Sequence, residues 1–311
     1  MTAPPRDAGA GDESAPGDLP KRRALLLVNR MSRRGRSRLD GSLRILADAG
    51  IAAEAKSSED PCRIPEMIRA HGGDYDLVVL GGGDGTFSFA LDAVLASGRP
   101  LGILPMGNAN DFARTLGIPT DCDAACRIIA EGATRRVDVG WIDGTHFLNV
   151  ASMGLSVRIA RRLTNDRKQR WGLFAYFACA WEAVHKRRSF DARIICDGVA
   201  TELRSMQIAV GNGRFYGGGM TIVDDAAIDD SRLDLYALPR LPGWRLLVLL
   251  PILRWGLHRP VENILSLQGR EIRIETGRPL AVNVDGEVRA RTPATLRVVP
   301  RALTVFAPGG G

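Results

Sequence analysis

The chain has 311 residues, 45% of them hydrophobic and only 6% aromatic, and a formal net charge of +7. That length is enough to bury a sizeable core and commonly divides into two domains, while a sequence pI of about 9.5 fits an anionic partner such as nucleotide phosphate, nucleic acid or an acidic membrane surface. With so few aromatics and no stacking platform or recognition motif, nucleic acid is set aside; five cysteines (Cys62, Cys122, Cys126, Cys179 and Cys196) without C-x-x-C spacing indicate neither a disulfide framework nor a zinc site and suit a reducing cytosol.

Residues 1–22, rich in Ala, Pro, Gly and Asp and without the apolar core of a signal peptide, read as a disordered tail. The apolar run at 24–28 stops at Asn29 and has the look of a buried parallel strand. A polar, Arg-rich loop follows, then a helix over 38–49 with Leu39, Leu43, Leu46 and Ala47 at helical spacing. A second buried strand at 76–80 runs into glycines, a helix spans 86–96, a strand 100–105 and a helix 124–131. Strands alternating with helices predict an α/β domain with a parallel sheet covered on both faces. From about Val137 the pattern turns to short strand-like runs at 137–142, 146–151, 192–197, 207–211, 233–238 and 271–275. This second part is expected to be a β-rich domain, interrupted by helical inserts at 157–186 and 243–258. The apolar stretches in those inserts are shorter than the ~18 to 20 residues a bilayer span needs, so no transmembrane helix is expected.

Chemistry concentrates first in Leu80-Gly81-Gly82-Gly83-Asp84-Gly85-Thr86, between a predicted strand and a predicted helix. There, outward-pointing N–H groups and the helix dipole form a cradle for phosphate. Glycines allow close approach of the backbone and positive φ, and Thr86 supplies a hydroxyl and an N-cap. The loop lacks both the Lys-Ser/Thr ending of a P-loop and the G-x-G-x-x-G register of a dinucleotide site. In the next segment, residues 104–114, Gly107 permits a tight turn, Asn108 and Asn110 offer donors to phosphate or ribose oxygens, and Asp111 either holds Mg²⁺ or caps a helix beginning at Phe112.

These two segments resemble the lipid kinases related to diacylglycerol and sphingosine kinases. The family shares the G-G-D-G-T loop with NAD kinases and phosphofructokinases, and its G-T-x-N-D-F-A-R stretch matches residues 107–114. The resemblance implies an NAD-kinase-like nucleotide domain made of residues 23–138 with 290–307, and a lipid-substrate β-sandwich domain over 139–289. Asn29 and Ser32 match the family's nucleotide-touching N-P-x-S-G loop, though Arg30 and Arg33 replace its Pro and first Gly; Ser88-Phe89 likewise stands where the family commonly has Asn-Glu.

Further matches follow in family order. Residues 211–219 resemble G-N-x-x-x-x-G-G-G, whose glycines shape a cleft-edge turn. Residues 225–234 resemble D-A-x-x-x-D-G-x-L-D, which implies that Asp230, with the carbonyls of Ala227 and Arg232, holds a structural Mg²⁺. Residues 285–287 match D-G-E, which makes Asp285 the general base for a lipid hydroxyl attacking a γ-phosphoryl group. Glu287 is expected as a second catalytic residue, pointing the same way as Asp285 if the segment is extended and orienting it or reaching the metal; a β-turn is the competing local reading, since Asp-Gly is a common turn pair.

The implied reaction takes ATP and Mg²⁺ and phosphorylates diacylglycerol or another lipid. Basic residues around the first insert, among them Arg161, Arg162, Lys168 and Arg170 before Trp171, suit an anionic membrane surface, with packing of the same helices on the β-domain as the alternative. The expected location is cytoplasmic with peripheral membrane contact, and a homodimer is compatible with the sequence. An NAD kinase and a non-catalytic nucleotide sensor stay open as other readings.

Overall fold

The computed structural model describes residues 22–29, 36–58, 60–155, 157, 189–213, 215–216, 220–221, 227–239 and 264–309. The first apolar run is strand β1 (Arg22–Asn29), with Ala24, Leu25, Leu26 and Leu27 buried. A central parallel strand meets helices on both faces, so neither side tolerates polar groups. Helix α1 (Arg36–Asp48) leads to β2 (Ile51–Ser58), and α2 (Ile64–His71) to β3 (Leu77–Gly82), all six of whose residues are buried. Next come α3 (Asp84–Ser97), β4 (Leu101–Pro105), the short α4 (Asp111–Thr115) and α5 (Cys122–Glu131). Strands β2, β1, β3 and β4 lie side by side in that order and are parallel. Neither β2 nor α2 was visible as a pattern in the sequence. As the sheet's edge strand, β2 exposes Glu54 beside partly exposed neighbours, so it carries no continuous apolar run.

The rest is antiparallel: β5 (Thr134–Ile142), β6 (Thr145–Phe147), β7 (Val150–Gly154), β8 (Phe190–Cys196), β9 (Val199–Gly211), a small pair β10 (Phe215–Tyr216) and β11 (Met220–Thr221), β12 (Leu233–Pro239), β13 (Leu265–Gly269), β14 (Glu271–Thr276), β15 (Ala281–Val284), β16 (Glu287–Arg291) and β17 (Ala294–Phe306). The runs at 296–299 and 302–306 are one bent strand, β17, whose register against β5 shifts between Val299 and Leu303.

Among the described residues two large hydrophobic cores form, beside a small cluster of Val150, Ala209, Tyr236 and Leu238. One gathers Leu25, Val79, Phe87, Ile103 and Phe112; the other gathers Met153, Ile194, Val210, Leu235, Ile272 and Val284. Strands β5 and β17 serve both: Val137, Val139, Leu303 and Val305 pack in the first core, Ile142 and Leu296 in the second. The end of β17 also pairs parallel to β4 at Val305 and Leu101. These shared strands join the parallel sheet to the β-rich half. The expected tail lies outside the described residues except for Arg22, which opens β1, and so do the helical inserts expected at 157–186 and 243–258, Val157 apart. Among the described residues, no helix is long and apolar enough to cross a membrane.

Candidate active site

Since β3 ends at Gly82 and α3 starts at Asp84, the segment Gly81-Gly82-Gly83-Asp84-Gly85-Thr86 straddles a strand end and a helix N-terminus, where a partial positive charge is concentrated. The loop after β4 lies directly on it. A Cβ on Gly107 would sit 2.5 Å from the Gly83 Cα, and one on Gly83 3.0 Å from the Gly107 Cα. The Met106 N–H donates to the Gly82 carbonyl at 2.7 Å, and the Phe112 N–H donates to Asp84 Oδ1 at 3.0 Å, so the carboxylate of one loop caps the helix of the other. Asn110, with φ of 52°, closes its own loop by accepting from the Gly107 N–H at 2.9 Å and donating to the Gly107 carbonyl at 3.0 Å. At Gly85 nothing lies within 4 Å of a would-be Cβ, which leaves room over the first turn of α3.

Several sequence expectations change here. None of Gly81, Gly82, Gly83, Gly85 and Gly107 has positive φ; close backbone packing, not left-handed conformation, accounts for Gly83 and Gly107. The N-cap of α3 is Gly83, and Thr86 is buried inside the first turn. Helix α4 begins at Asp111 rather than Phe112, so the capping role considered for the buried Asp111 belongs to Asp84. The Asn110 amide is engaged within its loop, while Asn108 is exposed. Pairing of β1 with β3 through Val28 and Gly81 brings Asn29 to the same strand ends; Arg30, Ser32 and Arg33 lie outside the described residues.

On the facing side, Asp285-Gly286 is the turn between β15 and β16, with φ of 47° and 100°, the positive pair a tight hairpin needs. The segment is therefore not extended, and the two acidic residues of D-G-E part. Asp285 is half-buried and turns its carboxylate inward: Oδ2 accepts from the Leu148 N–H at 2.7 Å, and Oδ1 from the N–H groups of Asn149 and Val150 at 3.0 Å each. Desolvation raises the carboxyl pKa above its ordinary value, opposed by those three N–H donors and by the Ser88 hydroxyl. Ser88, in the second turn of α3, is buried against the carboxylate without full hydrogen-bond geometry to any partner. Glu287 instead is exposed beyond the turn and bound to Arg289 at 3.1 Å.

The other edge of the 148–150 segment is held by Asn212, which lies in the G-N-x-x-x-x-G-G-G segment, where the sequence reading assigns a role to the glycines alone. Asn212, 1% exposed, donates its backbone N–H to the Asn149 carbonyl at 2.9 Å and its side-chain Nδ2 to the carbonyls of Leu148 at 3.2 Å and Asp138 at 2.9 Å. Asp285 thus binds the N–H edge and Asn212 the carbonyl edge. Asp138, equally buried, accepts from the N–H groups of Ser231 at 2.6 Å and Arg301 at 2.7 Å, tying the acidic turn to the bend of β17. A buried Asp inside the apolar run of β5 was the available signal.

In that turn Asp229 pairs with Arg135 at 2.6 Å, and Asp230 accepts from the Arg232 N–H at 3.0 Å. Burial, then the negative charges of Asp138 and Asp229, push the Asp230 pKa up. A carboxylate disfavoured in this way suits a hard cation. Among the described residues no three His, Cys, Asp or Glu side chains converge on one point, so carbonyls and waters would complete any such set.

A glycine-rich loop at the end of a parallel strand, with a carboxylate of the adjoining β-rich half beside the helix that follows it, is an arrangement that suits a kinase. Comparison with known proteins narrows the class. Residues 23–142 match the diacylglycerol kinase catalytic domain and residues 149–307 the YegS C-terminal NAD kinase beta sandwich-like domain. A diacylglycerol kinase of Staphylococcus aureus (strain JH9) is 30% identical over 275 residues, covering 85% of this chain and 87% of the relative. The crystal structure of a diacylglycerol kinase from Bacillus anthracis str. Sterne superposes with a TM-score of 0.71 at 21% identity, over 92% of this chain and 97% of that one. A second chain from the same organism gives 0.78 at 24% identity, over 96% and 98%. This chain belongs to the diacylglycerol kinase family, and it is a kinase.

Proposed function

We propose that the protein transfers the γ-phosphoryl group of ATP to a lipid hydroxyl, with diacylglycerol as the acceptor and phosphatidic acid as the product. The observation that carries this reading is the Asp285 carboxylate, held inward by three N–H donors and touched by Ser88 from the helix that begins at the glycine loop. A general base must be both aimed and partly desolvated, and this seat does both. Desolvation raises the carboxyl pKa above its ordinary value and the backbone donors oppose it, so the carboxylate is more basic than a solvated one while its ionised form is still held.

The open space at Gly85, over the N-terminus of α3, receives the nucleotide phosphates, with Asn108 and Asp111 of the second loop as further nucleotide-binding groups. Mg²⁺ would neutralise phosphate charge when bound; Asp230, with the carbonyls of Ala227 and Arg232, would hold a structural ion. Ser88 in place of Asn retains a donor toward Asp285, which supports an active enzyme over a nucleotide sensor. The basic segment with Arg161, Arg162, Lys168 and Arg170, outside the described residues, would bring the site to an anionic membrane surface. Incubation with labelled ATP, Mg²⁺ and, separately, diacylglycerol micelles, a sphingoid base, phosphatidylglycerol and NAD tests the reading. Label on diacylglycerol, lost in Asp285→Asn, is the expected result; label on NAD or on no acceptor overturns it.

A further inference from the structure

Two contacts with no part in the chemistry above join α3 to the strands on either side of Asp285. Asp92 Oδ1 lies 2.6 Å from His146 Nδ1. One turn nearer the glycine loop, the Arg289 guanidinium lies over the Phe89 ring, 5.4 Å from its centroid. Positions 88, 89 and 92 share a helix face at spacings of three and four, so the face that presents Ser88 to the carboxylate also makes both grips. His146 is in β6, two residues before Leu148, the first N–H donor to Asp285. Arg289 is in β16, four residues after Asp285, and is tied to Thr145 Oγ1 at 3.5 Å and to Glu287 at 3.1 Å. Each grip therefore falls on chain continuous with one half of the Asp285 seat.

We propose that the Asp92–His146 pair and the Phe89–Arg289 stack are positioning contacts that set the distance between the phosphate loop and Asp285 for phosphoryl transfer. The proposal rests on the kinase reading. Helix α3 is continuous from Asp84, so a shift at residues 89–92 carries the phosphate cradle with it. Displacements of about 1 Å between reacting groups cost roughly 10²-fold in rate. Phe89, where the family commonly has Glu, stacks under Arg289 and leaves the guanidinium free to hold Glu287.

The test compares Asp92→Asn, His146→Gln, their double variant and the transposed pair Asp92→His with His146→Asp. Three readouts are taken: kcat, KM for ATP, and hydrogen exchange at the amides of Leu148, Asn149 and Val150. Each single variant should lower kcat about tenfold with KM for ATP changed by less than about twofold. The double variant should be no worse than either single one, and the transposed pair should recover most of the loss. Exchange at the three amides should accelerate while the amides of β1 keep their protection. Unchanged kcat, additive losses, or equal acceleration in β1 would overturn the proposal. Should the wild type phosphorylate no acceptor, the kinase reading falls, and the selective exchange at Leu148–Val150 still decides whether the pair governs the seat.

Discussion

The glycine loop and the seat of Asp285 face one another, yet they are assembled in opposite ways. The loop is contiguous chain whose working groups are main-chain atoms, so its residues are chosen for what they lack: Gly83 and Gly107 touch Cα to Cα. The seat draws on separated segments, Ser88, Leu148 to Val150, Asn212 and Asp285, and its working group is a side chain. A site of the first kind leaves a short, dense signature; a site of the second kind leaves single residues scattered along the chain.

The largest effect should come from the seat. Asp285→Asn puts an amide N–H₂ among three N–H donors and removes the base, and kcat should fall by about 10² to 10⁴, read as labelled lipid. A loss smaller than about tenfold would move the base elsewhere. In the loop, Gly107→Ala drives a Cβ into the backbone of Gly83, which cannot rotate away; about 1–3 kcal/mol of stability should be lost in urea unfolding, with weaker nucleotide binding. Gly85→Ala, with no atom within 4 Å, should keep its stability and lose only nucleotide affinity; equal destabilisation by the two alanines would erase the distinction between packing glycine and ligand glycine.

A smaller effect is expected at Asn212→Ala, which frees the carbonyls of Leu148 and Asp138 and should cost about 1–3 kcal/mol, with kcat lowered more than KM for ATP. The pH profile sharpens the same side. Burial favours the neutral form of Asp285 and the base must be ionised, so activity should be lost as pH falls through a pKa above the ordinary 3.8. Ser88→Ala removes a group that lowers this pKa, so the acid limb of kcat should move to higher pH; a shift to lower pH contradicts the contact. Least of all, Arg297→Ala breaks an exposed pair with Glu271 and should change stability by no more than about 0.5 kcal/mol.

Much of this was legible in the chain itself. The strands at 24–28 and 76–80 announced themselves because both faces of a central parallel strand are apolar, and α3 and β4 followed from the punctuation between them. Edge strand β2 did not, because one exposed side breaks the run. For Asp285-Gly286-Glu287 the turn reading holds: the positive φ pair that makes the hairpin goes with a carboxylate turned inward, and Glu287 lies out on Arg289. Ser88 and Phe89, which looked like departures from the family pattern, contact Asp285 and Arg289 respectively.

By itself the sequence determined the α/β alternation, the β-rich second half and the strand-to-helix position of the glycine loop, since each rests on neighbouring residues and on backbone geometry. Only the tertiary structure decided which groups hold the Asp285 carboxylate. Its Leu148 donor stands 137 residues away along the chain, and the two meet because β15 pairs antiparallel with β7, Val284 opposite Ala151, with the Asp285 N–H donating to the Val150 carbonyl; no local propensity encodes a pairing between strands so far apart in the chain.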